Sequence, residues 1–64
     1  MLFRKVIIEK GAVVRNSVIM AGCVIKAGAV VENAIIDKEA TISSLRRIVG
    51  APLSPMIVQK GEII

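Results

Sequence analysis

Few side chains of this chain could do chemistry, and none has a catalytic partner. The sequence contains no histidine. Imidazole is the usual general base near neutral pH and the commonest metal ligand, so acyl transfer with a histidine base and zinc chemistry both lack their key group. Cys23, the single cysteine, and Ser17 offer nucleophilic atoms, but a nucleophile needs an adjacent base. We therefore expect no catalytic residue, no cofactor-binding residue and no metal ligand.

The adjacent Arg46 and Arg47 are the candidates for binding a ligand. The guanidinium fork suits the oxygens of a phosphate group, and Arg4, Lys5 and Arg15 add positive charge. The hypothesis is a site for a phosphorylated effector at Arg46 and Arg47. The competing interpretation, which we favour, places both arginines on a solvated edge of the fold.

A repeat of seventeen residues must position these side chains. Residues 8–24 and 25–41 align with identical residues at Ile8/Ile25, Gly11/Gly28, Ala12/Ala29, Val13/Val30, Val14/Val31, Asn16/Asn33 and Ile19/Ile36. Large aliphatic residues recur at steps of six or five: Leu2, Ile8, Val14, Ile19, Ile25, Val31, Ile36, Ile42, Ile48 and Leu53. Small residues stand two positions before those from Val14 to Ile42: Ala12, Ser17, Cys23, Ala29, Ala34 and Ala40.

This period predicts an all-β fold in which stacked coils bury the core. In a strand, residues i and i−2 lie on one face and i−1 on the other. The large and small residues therefore point inward, and three short strands with three bends close one coil. We predict a single-stranded parallel β-helix of about three to four coils, in one domain over residues 1–64.

The regular coils are predicted over residues 2–42, and an irregular last coil over 43–64. Arg46 takes a small inward position there, so either the coil opens or this side chain reaches outward. Pro52 and Pro55 lack the N–H that a β-ladder needs and indicate a loop or an edge coil. A helix lined by residues of segment 42–49 is the competing interpretation for that segment.

The repeat also assigns both candidate nucleophiles, Cys23 and Ser17, to small inward positions of the coil, where they have a structural role. Cys23 shares its phase with Val6 and Ala40, which predicts a small, buried and inert thiol. Ser17 aligns with Ala34 and Ala51 as a small interior residue. In addition, Asn16 and Asn33 lie in register, which predicts a ladder of side chains along a bend.

The outward positions of the strands are aliphatic and predict association. Val13, Val18, Val30 and Ile35 all occupy the i−1 phase. Strands favour β-branched residues in any case, but contiguous apolar patches mark interfaces, and open coil ends invite another chain. We predict that these four residues contact another copy, a sister subunit or a neighbouring domain.

Charge and composition argue against two classes of partner, nucleic acids and membranes. The formal net charge is +4 with a sequence pI of about 9.9, but the basic residues are dispersed and do not alternate with stacking aromatics, so we expect no nucleic acid partner. No apolar run approaches the about 20 residues that span a bilayer, so we expect no membrane partner. The first residues lack the order of a signal peptide and the lone cysteine suits a reducing compartment, which predicts a cytoplasmic protein.

The six-residue phase, with small residues two positions before aliphatic ones and glycine in the bends, resembles the hexapeptide-repeat, left-handed parallel β-helix family. Longer strings resemble the C-terminal β-helix of bacterial glucose-1-phosphate adenylyltransferase (ADP-glucose pyrophosphorylase), and its regulatory subunit more than the catalytic one. These strings are residues 2–4, 11–20, 32–38 and 60–64.

The resemblance implies a structural and regulatory oligomerisation domain of glycogen biosynthesis. In that family a preceding nucleotide-binding domain joins glucose 1-phosphate and ATP, so this chain is expected to be a C-terminal fragment that packs on such a domain. No catalytic residue carries over. The alternatives are a hexapeptide-repeat acyl- or nucleotidyltransferase whose site a partner completes, and an effector-binding module around Arg46. Oligomer number, effector and the catalytic status of the parent subunit stay open.

Overall fold

Nine short strands make up the regular structure of the protein. The computed structural model describes residues 4–64, so Leu2, predicted to be the first inward aliphatic residue, lies outside the described residues, as does Phe3. The strands are β1 (Ile7–Ile8), β2 (Val13–Arg15), β3 (Val18–Ile19), β4 (Val24–Ile25), β5 (Val30–Glu32), β6 (Ala34–Ile36), β7 (Thr41–Ile42), β8 (Arg47–Val49) and β9 (Met56–Val58). Between them, most turns contain a residue with a positive φ, which is usually glycine or asparagine, the residues that adopt this region most readily. Lys5, Glu39 and Leu45 take the same conformation in other turns.

The strands form three parallel sheets, each built from every third strand. We call β1-β4-β7 face 1, β2-β5-β8 face 2 and β3-β6-β9 face 3. Consecutive strands lie on different faces, so the chain winds around a central axis as a parallel β-helix. This confirms the all-β prediction, and β7 and β8 replace the alternative helix over residues 42–49.

The register between neighbouring strands is the predicted seventeen residues. Ile8 pairs with Ile25 and Ile25 with Ile42, so these aliphatic residues stack in one column inside face 1. Ile25 and Ile42 are fully buried, whereas Ile8 lies in the first described strand and is 37% exposed. The stacking of like aliphatic residues is therefore confirmed as the source of the core.

The small inward residues are buried as predicted. Cys23, Ala29, Ala34 and Ala40 belong to the core, together with the larger aliphatic residues of the three faces. Branched and small residues alternate along each inner wall, so residues 4–64 fill a thin interior without contributing an aromatic ring. Ala12 packs against this core from the end coil and is partly exposed.

The last coil differs from the prediction at two positions. Leu53 was expected in the inner stack, but it is 99% exposed, and Val58 takes that place with 1% exposure. Likewise Ala51 does not stack on Ala34, whose partner is Met56. The physical reason is a loop of five extra residues, 51–55, closed by backbone hydrogen bonds in both directions between Ala51 and Ser54, at 3.1 and 3.0 Å.

The regular register continues up to Val49, which pairs with Glu32. The coil does not open at Arg46, because its carbonyl accepts a hydrogen bond of 2.8 Å from the Val30 amide. The Arg46 side chain is exposed, and so it reaches outward, which was one of the two alternatives. Pro52 and Pro55 both lie in the loop 51–55, which agrees with the prediction from their missing N–H groups.

Candidate interaction surfaces

The four outward aliphatic residues predicted to form an interface lie in columns on two adjacent faces, while a third outward pair, Ile7 and Val24, lies on face 1. On face 2, Val13 pairs with Val30, and the third residue of that column is Arg47. On face 3, Val18 pairs with Ile35. All four valine and isoleucine residues are half-buried, because neighbouring side chains of the same face shield them. The structure thus brings the four predicted interface residues together two by two.

Face 3 is the more apolar of these two faces. The third residue of its column is Ile57, which pairs with Ile35 and is 55% exposed. Its strand neighbour Met56 pairs with the inward-facing Ala34 and is exposed at the end of the stack, and the side chain of the loop residue Leu53 is exposed as well. A guanidinium interrupts the corresponding column on face 2, whereas the column on face 3 is aliphatic over its whole described length.

Sequence reasoning missed Ile57, although a usable pattern was present. Met56, Ile57 and Val58 repeat the alternation of Ala34, Ile35 and Ile36, but twenty-two residues later instead of seventeen. A search that allowed one insertion between strands would have found this match.

The arginine pair does not form a site with the other basic residues. Arg47 is the first residue of β8, with its side chain exposed on face 2, and Arg46 immediately precedes that strand. Arg4 and Lys5 lie in a turn at another corner of the coil, where the Arg4 carbonyl accepts a hydrogen bond of 3.2 Å from Gly22. The phosphorylated-effector site at Arg46 and Arg47 stays a prediction, and its positive charge is not concentrated by the fold.

The corner between faces 2 and 3 carries the predicted asparagine ladder. Asn16 and Asn33 adopt left-handed backbone angles, with φ of 47° and 50°. The Asn16 Nδ2 donates to Asn33 Oδ1 at 2.6 Å, and Asn33 Nδ2 donates to the Gly50 carbonyl at 3.1 Å. Amide groups that bond one another along the coil axis stabilise the bend, and they explain these residues without a ligand.

The two candidate nucleophiles also have structural partners. The fully buried Cys23 Sγ donates to the carbonyl of Asp37 at 2.9 Å. Ser17 Oγ donates to the Arg15 carbonyl at 2.7 Å and accepts from the Ala34 amide at 3.1 Å. Both side chains hold neighbouring bends together, and the sequence contains no histidine that could serve either of them as a base.

The chemistry available elsewhere in residues 4–64 is limited. Within this range, no three side chains of the histidine, cysteine, aspartate and glutamate types converge in a way that could hold a metal ion. The same residues include no helix of the length and apolarity needed to cross a bilayer.

Three parallel faces, a seventeen-residue register and stacked small and branched residues define a hexapeptide-repeat β-helix protein. A family model described as GlmU-like, C-terminal hexapeptide matches residues 1–54. The chain therefore belongs to the GlmU-like C-terminal hexapeptide family, and its fold is the left-handed parallel β-helix expected from the resemblance. No curated protein and no solved structure matches the chain.

Proposed function

We propose that this chain is an oligomerisation domain, without an active site of its own, of a cytoplasmic glucose-1-phosphate adenylyltransferase-like protein of glycogen biosynthesis. Membership of the GlmU-like hexapeptide family supports the broader class of acyl- and nucleotidyltransferases. The narrower assignment rests on the resemblance of the four strings in the sequence. In this proposal the chain positions subunits, and a nucleotide-binding domain of the same protein performs the chemistry.

The observation that supports oligomerisation is the aliphatic column on face 3. Val18, Ile35 and Ile57 lie one above another, and Ile57 is more than half exposed. The preference of strands for β-branched residues is enough to explain a half-buried valine such as Val18. It does not explain why the column of face 3 is aliphatic at all three positions, whereas the corresponding columns of faces 1 and 2 include Thr41 and Arg47. Contiguous apolar patches of this kind mark interaction sites.

The surroundings of face 3 suit an interface with an apolar centre and a polar rim. One edge is the asparagine ladder at the corner with face 2. The opposite edge is the corner with face 1, which carries Lys38 and Lys60 in successive turns. Interfaces commonly combine a desolvated apolar core with a polar, hydrated rim. We propose a second copy, or a sister subunit with the same face, as the partner.

The test is the oligomeric state of the 64-residue chain. Sedimentation velocity is measured from micromolar to millimolar concentration for wild type, Ile35→Lys and Val24→Lys. The control position Val24 is the face 1 counterpart of Ile35, since it is half-buried, outward and in the middle strand of its sheet. Folding of each variant is checked by far-UV circular dichroism.

We expect wild type and Val24→Lys to associate and Ile35→Lys to be monomeric at the same concentrations. A lysine at the centre of an apolar interface must be desolvated without a partner, which is strongly unfavourable. A monomeric wild type at millimolar concentration contradicts the proposal. So does an equal loss of association in the two lysine variants, because face 3 then has no special role.

The family supports one alternative, a transferase whose active site a partner completes. Hexapeptide families include acyl- and nucleotidyltransferases, but this sequence supplies no imidazole base. Under our proposal, the pure chain releases no pyrophosphate from ATP and glucose 1-phosphate. Sustained release that copurifies with the chain favours the alternative.

A further inference from the structure

The corner between faces 3 and 1 stacks four two-residue turns in register. They are residues 4–5, 21–22, 38–39 and 60–61. In each step the second residue of one turn donates its N–H to the carbonyl of the first residue of the turn before it. These bonds are Gly22 to Arg4 at 3.2 Å, Glu39 to Ala21 at 2.9 Å and Gly61 to Lys38 at 2.9 Å. The turns are therefore separated by about one strand spacing, about 4.8 Å.

A groove with a volume of about 310 Å³ opens at this corner. It is lined by Lys5, Ala21, Gly22, Lys38, Glu39 and Lys60. The groove exists because the second turn, Ala21-Gly22, has almost no side chain, while the turns on both sides carry long ones. Glu39 covers part of the floor, since a Cβ built on Gly22 meets its Cγ at 3.1 Å.

Three lysines from three different coils surround this floor, with a single carboxylate among them. All three are exposed, and within residues 4–64 none of their ammonium groups has an ion-pair or hydrogen-bond partner. Lys38 and Lys60 are in adjacent turns, so two like charges repel each other across about one strand spacing. An anion bound between them removes that repulsion and adds two charge-assisted hydrogen bonds.

The other corner of face 1 shows that this arrangement is not general. Its turns are Lys10-Gly11, Ala27-Gly28 and Ser44-Leu45, with one lysine among them. The carboxylate beside them is already engaged, because Glu9 Oε1 accepts a hydrogen bond of 3.0 Å from the Ala27 amide. The turns at the groove thus hold three lysines and the turns at the other corner hold one, with Lys26 and Arg46 flanking the latter turns.

We propose that the lysine groove binds a small molecule with two linked phosphate groups. Lys38 and Lys60 contact one phosphate, and Lys5, two turns away along the corner, contacts the other. Lysine binds phosphate as a flexible point charge, so the groove selects for the charge and spacing of the anion. The ligand class is therefore a diphosphate, and the groove volume leaves room for a small organic group beside it.

The experiment titrates the chain with inorganic pyrophosphate and, for comparison, inorganic phosphate. Amide chemical shifts and calorimetry are followed at low ionic strength, for wild type, Lys38→Ala and the control Lys26→Ala. The two variants have the same net charge, but Lys26 does not line the groove. We expect pyrophosphate to bind wild type about tenfold more tightly than phosphate, and Lys38→Ala to lose about tenfold in pyrophosphate affinity.

A second variant, Ala21→Glu, tests the site independently of lysine removal. The new carboxylate stands in the turn between Lys5 and Lys38, where it neutralises the groove from within. We expect pyrophosphate binding to be lost while the melting temperature is unchanged or raised. The proposal is wrong if wild type does not bind pyrophosphate, or if Lys38→Ala and Ala21→Glu bind it no more weakly than Lys26→Ala.

Discussion

At Asn33, substitutions can separate two contributions to stability: the side-chain hydrogen bonds of the asparagine ladder, and the tolerance of asparagine for a left-handed backbone. Its side chain accepts a hydrogen bond from Asn16 and donates one to the Gly50 carbonyl, and its φ is 50°. Asn33→Ala removes both hydrogen bonds and leaves a Cβ in the left-handed region. Asn33→Gly removes the same bonds but adopts that region freely.

The expected magnitudes follow from these contacts. Each net hydrogen bond contributes about 1 kcal/mol, which makes about 2 kcal/mol for the pair. A left-handed alanine adds about 1 kcal/mol. The expected loss in unfolding free energy is therefore about 3 kcal/mol for Asn33→Ala. For Asn33→Gly it is about 2 kcal/mol, because relief of the backbone strain roughly offsets the greater freedom of glycine in the unfolded chain.

The assay is urea unfolding followed by far-UV circular dichroism, with thermal melting as a second measure. In a domain of this size, about 1 kcal/mol shifts the melting temperature by about 4–8 °C, so the alanine variant should melt at least about 12 °C below wild type. Thr41, in β7, provides the control, since at a strand position alanine should be more stable than glycine.

The relative stabilities of the two Asn33 variants test this argument directly. If Asn33→Ala is as stable as Asn33→Gly or more stable, the left-handed backbone is not what requires asparagine. If both variants match wild type, the ladder contributes nothing to stability.

Two further predictions concern the last coil. A Cβ on Gly50 meets the Asn33 carbonyl oxygen and, at 2.5 Å, the Met56 amide, so Gly50→Ala should cost more than about 3 kcal/mol in urea unfolding. Gly61→Ala should cost only about 1 kcal/mol, because the φ of Gly61 is 72° but a Cβ built there meets no atom within 4 Å outside its chain neighbours. Equal losses of stability in Gly50→Ala and Gly61→Ala would contradict this steric argument. Deleting residues 51–55 should retain cooperative unfolding and change stability by less than about 1 kcal/mol, because a shorter loop costs less entropy to close. Loss of the β-type circular dichroism signal in the deletion shows instead that the loop supports the coil.

The core of this fold was predictable from sequence because each buried side chain has one neighbour above and one below it. Ile25 between Ile8 and Ile42 is such a case. The prediction was wrong at Leu53, where a small residue two positions earlier imitates the pattern of the inner wall. Periodicity alone does not reveal the five-residue loop that moves the inner position from Leu53 to Val58.

The surface features were less predictable, since they depend on register across the loop. Lys5, Lys38 and Lys60 are thirty-three and twenty-two residues apart, and neither spacing is a multiple of the period. Their convergence follows from two facts outside the pattern: neighbouring residues of one turn share the groove, and five residues leave the coil before Lys60.

The loop explains why the two surface columns exist at all. With an uninterrupted period, Ile35 would stack on Pro52 and Lys38 on Pro55. A proline would then end the aliphatic column at Ile35, and it would put no positive charge beside Lys38. Extruding five residues removes Pro52 and Pro55 from the coil and brings Ile57 under Ile35 and Lys60 beside Lys38. The five-residue insertion that breaks the repeat therefore completes both the aliphatic column of face 3 and the lysine groove.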